Sequence, residues 1–220
     1  LRGTIRHFTL VNCPHLHIID HPLVADMLAQ ARQRETPPAM FRSLLNRIGA
    51  ILAYEAARIV PQVDATVLTP LELMHARRLK VPITIVPILR AGLGLAQGMF
   101  ELMPESRMGH LGLFRNEETL EPVTYYENLP RDIAAGPVLL VDPMLATGGS
   151  ACEGVRRLRA RSCRDVRFLC LVAAPAGVEK LRSCDAEVPI FTAALDRELN
   201  DRGYILPGLG DAGDRLYGTG

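Results

Sequence analysis

The ten residues Val141 to Ser150, VDPMLATGGS, leave this chain few architectures to choose from. Pro137 to Val141 is an apolar run of strand length that ends at one acid, Asp142, crosses a small-residue loop and opens onto a helical pattern from about Ala151 to Arg161. A carboxylate just past the carboxyl end of a strand is placed to bind ribose hydroxyls. Thr147, Gly148, Gly149 and Ser150 offer backbone N–H groups and hydroxyls to a phosphate, and the following helix points the positive end of its dipole at the same anion. A turn with glycines chosen only for backbone geometry would account for Gly148 and Gly149, but not for Asp142 and Thr147. No lysine follows the glycines, which removes the nucleotide-triphosphatase loop.

Strand and helix patterns alternate through most of the chain. Helical spacing of apolar residues marks Leu23 to Arg34 and Met40 to Ile59, on either side of the breaker Thr36-Pro37-Pro38, so two helices are expected before any strong strand. From Pro82 onward, β-rich runs at Ile83–Ile88, Met108–Phe114, Val138–Val141, Val166–Ala173 and Val188–Thr192 alternate with helices expected at Leu95–Leu102, Ala151–Arg161 and Val178–Ser183. This order predicts an α/β domain with a mostly parallel central sheet flanked by helices, and ligands at the carboxyl ends of its strands. The 220 residues fit one domain without internal repeats.

A formal net charge of +1 argues against a non-specific nucleic-acid or membrane surface, and no apolar stretch has the length and uniformity of a membrane span. The expected partners are small molecules, with no nucleic acid and no membrane. Five cysteines, an odd number with no CxxC spacing, predict reduced thiols and a cytoplasmic protein.

Three further segments carry chemistry. In VPILRAGLG, Arg90 follows a strand and Gly92 and Gly94 leave backbone exposed; a dinucleotide-binding reading fails because Gln97 stands where the third glycine belongs. Arg115 to Asp132, RNEETLEPVTYYENLPRD, is polar, bears Pro122 and Pro130, and is too long for a simple connection, so it reads as a flexible arm over a site. Tyr204 to Thr219, YILPGLGDAGDRLYGT, combines four glycines, a proline and two aspartates, poor helix and strand material suited to lining a pocket. His15, His17, Asp20 and His21 lack zinc-site spacing to any further His/Cys pair, so no metal is assigned there.

These segments together resemble the type I phosphoribosyltransferases. DPMLATGGS, RNEETLEPV and IxPGLGDAGD resemble the uracil phosphoribosyltransferases among them, from about Asp20 to Thr219 and least closely over Pro61 to Lys80. The resemblance implies a type I phosphoribosyltransferase-like fold with a hood built from the carboxyl-terminal segment and a flexible β-arm. It also implies transfer of a phosphoribosyl group from 5-phospho-α-D-ribose 1-diphosphate to uracil, giving UMP and pyrophosphate. Carried over residue by residue, Arg90 and Arg115 hold the diphosphate. Asp142, Pro143, Met144, Leu145 and Ala146, followed by Thr147, Gly148, Gly149 and Ser150, hold the ribose phosphate. Ile205, Gly210 and Ala212 meet uracil through their backbones, and Asp211 meets the sugar diphosphate and the uracil site. Many members carry two adjacent acids before the loop, whereas Pro143 follows Asp142 here, leaving Asp142 to serve the ribose alone. Mg²⁺ is expected to enter with the diphosphate, no general base is assigned, a homodimer or homotetramer is expected, and GTP, which activates some members, stands as an effector to test. A non-proline cis peptide is common in the loop corresponding to that of Arg90.

Two rivals use the same fold. A purine phosphoribosyltransferase is disfavoured by the tail motif. A UMP-sensing RNA-binding regulator would need a concentrated basic face, for which Arg156, Arg157, Arg159, Arg161, Arg164 and Arg167 are the candidate residues.

Overall fold

A computed structural model describes residues 13–115 and 122–220. The chain opens with β1 (Leu16–Ile18), followed by α1 (Pro22–Arg32) and α2 (Pro38–Ala56), each with a proline in its first turn. Next come the hairpin strands β2 (Gln62–Leu68) and β3 (Leu73–Leu79), then β4 (Thr84–Leu89), α3 (Leu93–Leu102), β5 (Arg107–Met108), β6 (His110–Arg115) and β7 (Pro122–Asn128). The segment around Asp142 to Ser150 supplies β8 (Val138–Val141), β9 (Met144–Leu145) and α4 (Gly149–Ala160). After these stand β10 (Val166–Ala173), α5 (Pro175–Cys184), β11 (Ile190–Leu195), the short pair β12 (Glu198–Leu199) and β13 (Ile205–Leu206), and α6 (Ala212–Tyr217).

The main sheet runs β1-β11-β10-β8-β4-β6-β7 and is parallel except for the β6–β7 pair. Its central strands are buried on both faces, which is why they read as unbroken apolar runs. Side-chain alternation then sorts them: Leu139, Val141, Leu169 and Leu171 face the core shared with α1, α2, α3 and α6, while Val138, Leu140, Phe168 and Cys170 face the core shared with α4 and α5.

Two helices precede every long strand, as expected, and ahead of them lies β1, a three-residue strand that adds to the β11 edge. Three residues are too few to show a period. Its neighbours have structural duties: His17 stacks on Phe191 at 4.6 Å, and His21 Nδ1 accepts the Leu23 N–H at 3.2 Å as the cap of α1. The hairpin β2–β3 has no buried apolar face that a sequence pattern would show; Leu68, Leu71, Leu73 and Met74 are all exposed. The tail also departs from expectation, since β13 and α6 are regular elements in a stretch read as loop. The hood is therefore a folded unit. The expectation of reduced thiols fails for one pair: Cys152 and Cys184 form a disulfide, with Cα atoms 6.0 Å apart, while Cys13, Cys163 and Cys170 remain free.

Helices α2 and α3 touch backbone to backbone. A Cβ on Gly98 would collide with the Asn46 carbonyl, and one on Gly49 with that of Leu95. Gly98→Ala is expected to force the helices apart at a cost of about 1–3 kcal/mol. A thermal melt should then show a drop of roughly 2–10 °C, and an unchanged midpoint would contradict this account of the packing.

Candidate active site

β4 and β8 are neighbours, with Thr84 to Pro87 in register with Val138 to Val141, so the loops that leave their carboxyl ends emerge side by side. The first turns at a cis Leu89–Arg90 peptide. Gly92 N then donates to the Ile88 carbonyl at 2.9 Å and α3 begins. A Cβ on Gly92 would stand 2.5 Å from the Val141 oxygen, so this loop lies directly against the end of β8, one residue before Asp142. Arg90 and Asp142, 52 positions apart in the chain, thus stand on adjacent loops.

Asp142 N donates to the Leu169 carbonyl at 3.1 Å, which ties the start of the loop after β8 to β10. Asp142 as a whole residue is half-buried. Desolvation raises its pKa to about 7, against the opposing hydrogen bond from the Met144 N–H. Met144 and Leu145 pair with Val172 and Ala173 as β9, and Ala146 continues the loop. Gly148 has φ +82° as the cap of α4, a conformation that favours glycine. Thr147 and Gly149 line a cleft of about 690 Å³ together with Pro122, Cys152, Lys180 and Cys184, and Ser150 lies in the first turn of α4.

The floor of this loop is α5. A side chain on Gly177 would strike the Leu145 and Ala146 carbonyls, and one on Gly148 would stand 2.8 Å from Lys180 Cβ. The glycine loop is therefore seated on a helix as well as beginning one.

Named bonds fix the tail and bring it against the Arg90 loop. Asp196 accepts both terminal nitrogens of Arg32, at 2.8 and 2.6 Å, and the Gly208 N–H at 2.9 Å, while Arg32 also donates to the Gly208 carbonyl at 2.6 Å. These bonds hold the turn after the cis Leu206–Pro207 peptide, where Gly208 has φ +60° and Gly210 φ +75°. Ile205 and Ala212 are buried and Gly210 is exposed. The Asp211 carboxylate caps α6 by accepting the Asp214 N–H at 3.0 Å. At the far end of α6, Tyr217 Oη donates to the Arg90 carbonyl at 3.0 Å, and the Arg90 guanidinium lies 5.5 Å from the centre of the Tyr217 ring. The tail and the loop of Arg90 are thereby in direct contact.

Arg115 ends β6, with its backbone paired to Pro122; its side chain lies outside the described residues, as do Glu117, Glu118 and Glu121 of the arm. The described part of the arm, β7, is fastened to α4. Thr124 Oγ1 donates to Glu153 at 3.2 Å, and Glu127 pairs with Arg157 and Arg161. The hydrogen bond from Arg156 is the main influence holding the pKa of Glu153 down at about 2; burial opposes it, and the Arg157 hydrogen bond and the charges of both arginines add to the lowering. Sequence reasoning missed Tyr217, Arg32 and Asp196. The Tyr217–Arg90 and Arg32–Asp196 bonds span 127 and 164 positions, distances at which local pattern carries no signal.

The candidate basic face is largely neutralised. Arg156 and Arg157 pair with Glu153, Arg159 with Asp185, and Arg161 with Glu127, while Arg167 is buried against Asp165 and the Ala56 carbonyl.

Comparison with known proteins gives a consistent result. A family model described as uracil phosphoribosyltransferase matches residues 18–219. The uracil phosphoribosyltransferase of Macrococcus caseolyticus is 48% identical over 205 residues, covering 93% of this chain and 98% of the relative; that of Dictyoglomus thermophilum is 48% identical over 203 residues, covering 92% and 98%. Among solved structures, the AQ2163 protein from Aquifex aeolicus aligns with a TM-score of 0.88 at 38% identity, covering 92% of this chain and 97% of that one. An adenine phosphoribosyltransferase from Trypanosoma brucei, 14% identical with a TM-score of 0.58 and covering 90% and 89%, shares the fold. With the acid and the glycine cradle set beside the Arg90 loop on that fold, a match of this extent makes the chain a member of the uracil phosphoribosyltransferase family.

Proposed function

We propose that the protein transfers the phosphoribosyl group of 5-phospho-α-D-ribose 1-diphosphate to uracil, releasing pyrophosphate and forming UMP, as a pyrimidine-salvage enzyme. The observation that carries this reading is the convergence of three segments, the Arg90 loop, the Asp142 to Ser150 loop and the tail, with Tyr217 bonded to Arg90. Asp142 accepts the ribose hydroxyls as a carboxylate. The cradle from Pro143 to Ser150 takes the 5′-phosphate on backbone N–H groups at the start of α4. Arg90 and Arg115 stabilise charge on the departing pyrophosphate as the anomeric carbon gains oxocarbenium character. Ile205, Gly210 and Ala212 read uracil through backbone groups, and Asp211 adds a contact to the sugar diphosphate and the uracil site. Fixed backbone donors and acceptors complement uracil's two carbonyls and the N–H between them, and they oppose a donor to cytosine's amine.

One carboxylate at the sugar loop, with no group of three metal-binding side chains among the described residues, fits a Mg²⁺ ion that is held mainly by substrate oxygens. When bound, the ion neutralises the leaving diphosphate. The protein assayed with uracil, phosphoribosyl diphosphate and Mg²⁺ is expected to release pyrophosphate, and adenine and hypoxanthine to give none. Pyrophosphate release with a purine but not with uracil would overturn the reading.

Self-association is part of the proposal, and the hairpin β2–β3 is the surface that favours it. Its exposed Leu68, Leu71, Leu73 and Met74 would be covered by a second copy. Sedimentation at micromolar concentration should show a dimer or larger species, and a monomer would contradict it. GTP remains an effector to test by its influence on the rate at low uracil. The chain reads as one domain acting in the cytoplasm; among the described residues, no helix is long and apolar enough to cross a membrane.

A further inference from the structure

We propose that Cys152 and Cys184 are a redox-modification site that reacts with low-molecular-weight disulfides and thiols, and that its oxidation state sets how firmly the neighbouring cradle holds phosphoribosyl diphosphate. The second half of this inference rests on the function proposed above; the first does not.

The two cysteines lie 32 residues apart and join two helices that the fold otherwise connects through packing. Cys152 stands in the first turn of α4, where its N–H donates to the Gly148 carbonyl at 2.9 Å. Cys184 is the last residue of α5 and is exposed. Both line the cleft of about 690 Å³ that also contains Thr147, Gly149 and Lys180, so a small disulfide can reach them from solvent. The reduced state is provided for as well: Cys152 Sγ is 3.5 Å from the Lys180 carbonyl, an acceptor for its S–H. The other cysteines are placed differently, Cys163 and Cys170 being buried and Cys13 half-buried.

Oxidation balances as a two-step exchange. The Cys184 thiolate attacks a small disulfide such as oxidised glutathione, forming a mixed disulfide and releasing one thiol. The Cys152 thiolate then attacks the Cys184 sulfur and expels the second thiol. Two electrons pass to the small disulfide, and the two cysteine protons end on the two released thiols.

The consequence for the cradle follows from what α5 carries. Leu145 and Ala146 rest on Gly177, and Gly148 rests on Lys180. With the bond closed, the first turn of α4 and the helix beneath the loop form one covalently braced unit, and the N–H groups facing the phosphate are held in place before the ligand arrives. With the bond open, that turn is free to shift on α5, and ordering it is charged against binding.

The test equilibrates the full-length protein in glutathione buffers of varied ratio, traps thiols by alkylation under denaturing conditions, and counts them by mass spectrometry. Three alkylated cysteines with a Cys152–Cys184 linked peptide are expected at the oxidising end, and five at the reducing end. Across the same series, the KM for phosphoribosyl diphosphate, with binding by calorimetry as a parallel measure, should be about three- to tenfold higher in the reduced protein, with kcat unchanged. C184S should match the reduced wild type and ignore the redox ratio. Five alkylated cysteines at every ratio would overturn the modification site. Linked peptides with the same affinity in both states, or with tighter binding when reduced, would overturn the effect on the cradle. Because linkage and calorimetry require no turnover, a protein inactive on uracil would refute the proposed reaction without deciding either point.

Discussion

Asp142→Asn is expected to remove nearly all activity while making the protein more stable above neutral pH. The loss arises because asparagine offers the ribose one neutral acceptor and a donor in place of two charged oxygens. Hydrogen bonds to charged groups are worth about 1.5–3 kcal/mol each, so two of them lower kcat/KM for phosphoribosyl diphosphate by roughly a hundred- to ten-thousandfold. The gain in stability arises from the desolvation that raises the Asp142 pKa from 3.8 to about 7. Between those values the folded protein holds a proton that the unfolded chain has released, so stability falls as pH rises through that window, and the full penalty is present above pH 7. The variant has no charge to bury. Its melting temperature should exceed that of wild type at pH 8, and the difference should shrink toward pH 4. In wild type, kcat/KM for the diphosphate substrate should rise about tenfold per pH unit up to about 7 and then level, because this parameter reports the free enzyme. A variant that melts below wild type at pH 8, or a flat profile between pH 5 and 7, would sink the assignment.

Asp196→Ala should produce the larger structural effect. The side chain is 6% exposed and accepts three hydrogen bonds, two from Arg32 and one from the Gly208 N–H. Alanine leaves the guanidinium and a buried N–H without their acceptor. Breaking a buried pair costs about 3–5 kcal/mol, and because Arg32 keeps some contact with solvent the lower part of that range applies, near 3 kcal/mol. That corresponds to a melting temperature lower by roughly 6–12 °C. The turn that Asp196 holds leads into Gly210 and Ala212, so the KM for uracil should rise about tenfold or more while that for phosphoribosyl diphosphate changes less. Removing Arg32 as well should restore part of the stability, since no charge is then stranded. A melting temperature within about 1 °C of wild type, or an equal rise in both KM values, would show that the pair does not govern the tail.

The strands whose bounds could be read from sequence are those with two buried faces. β8 and β10 coincide with the expected Val138–Val141 and Val166–Ala173 because every residue in them is enclosed, so apolar character has no interruption. The helix of the sugar loop began two residues earlier than its apolar pattern, at Gly149, because a left-handed Gly148 starts it. β1 is too short for a period, and the exposed β2–β3 hairpin is under no demand to show one face. α6 was hidden by the glycines around it. It is held by contacts from far away, the Arg42 bond to the Leu216 carbonyl at 2.6 Å and the packing of Leu216 on Gly94. The cysteine pairing was equally invisible, since an odd count and an absent motif say nothing about which helix ends meet.

What the sequence determined by itself is the local chemistry: an acid at a strand end, a glycine cradle at a helix start, an arginine on a turn and a tail able to present backbone. Each depends on residues within about ten positions of one another, the range over which hydrogen-bond periodicity and backbone sterics act. The tertiary structure alone decided how those parts work on each other. Burial raised the pKa of Asp142, α5 became the floor of the cradle, Asp196 fixed the turn of the tail, and Tyr217 joined that tail to Arg90. Desolvation and contacts across more than a hundred positions exist only once the sheet has brought distant segments together.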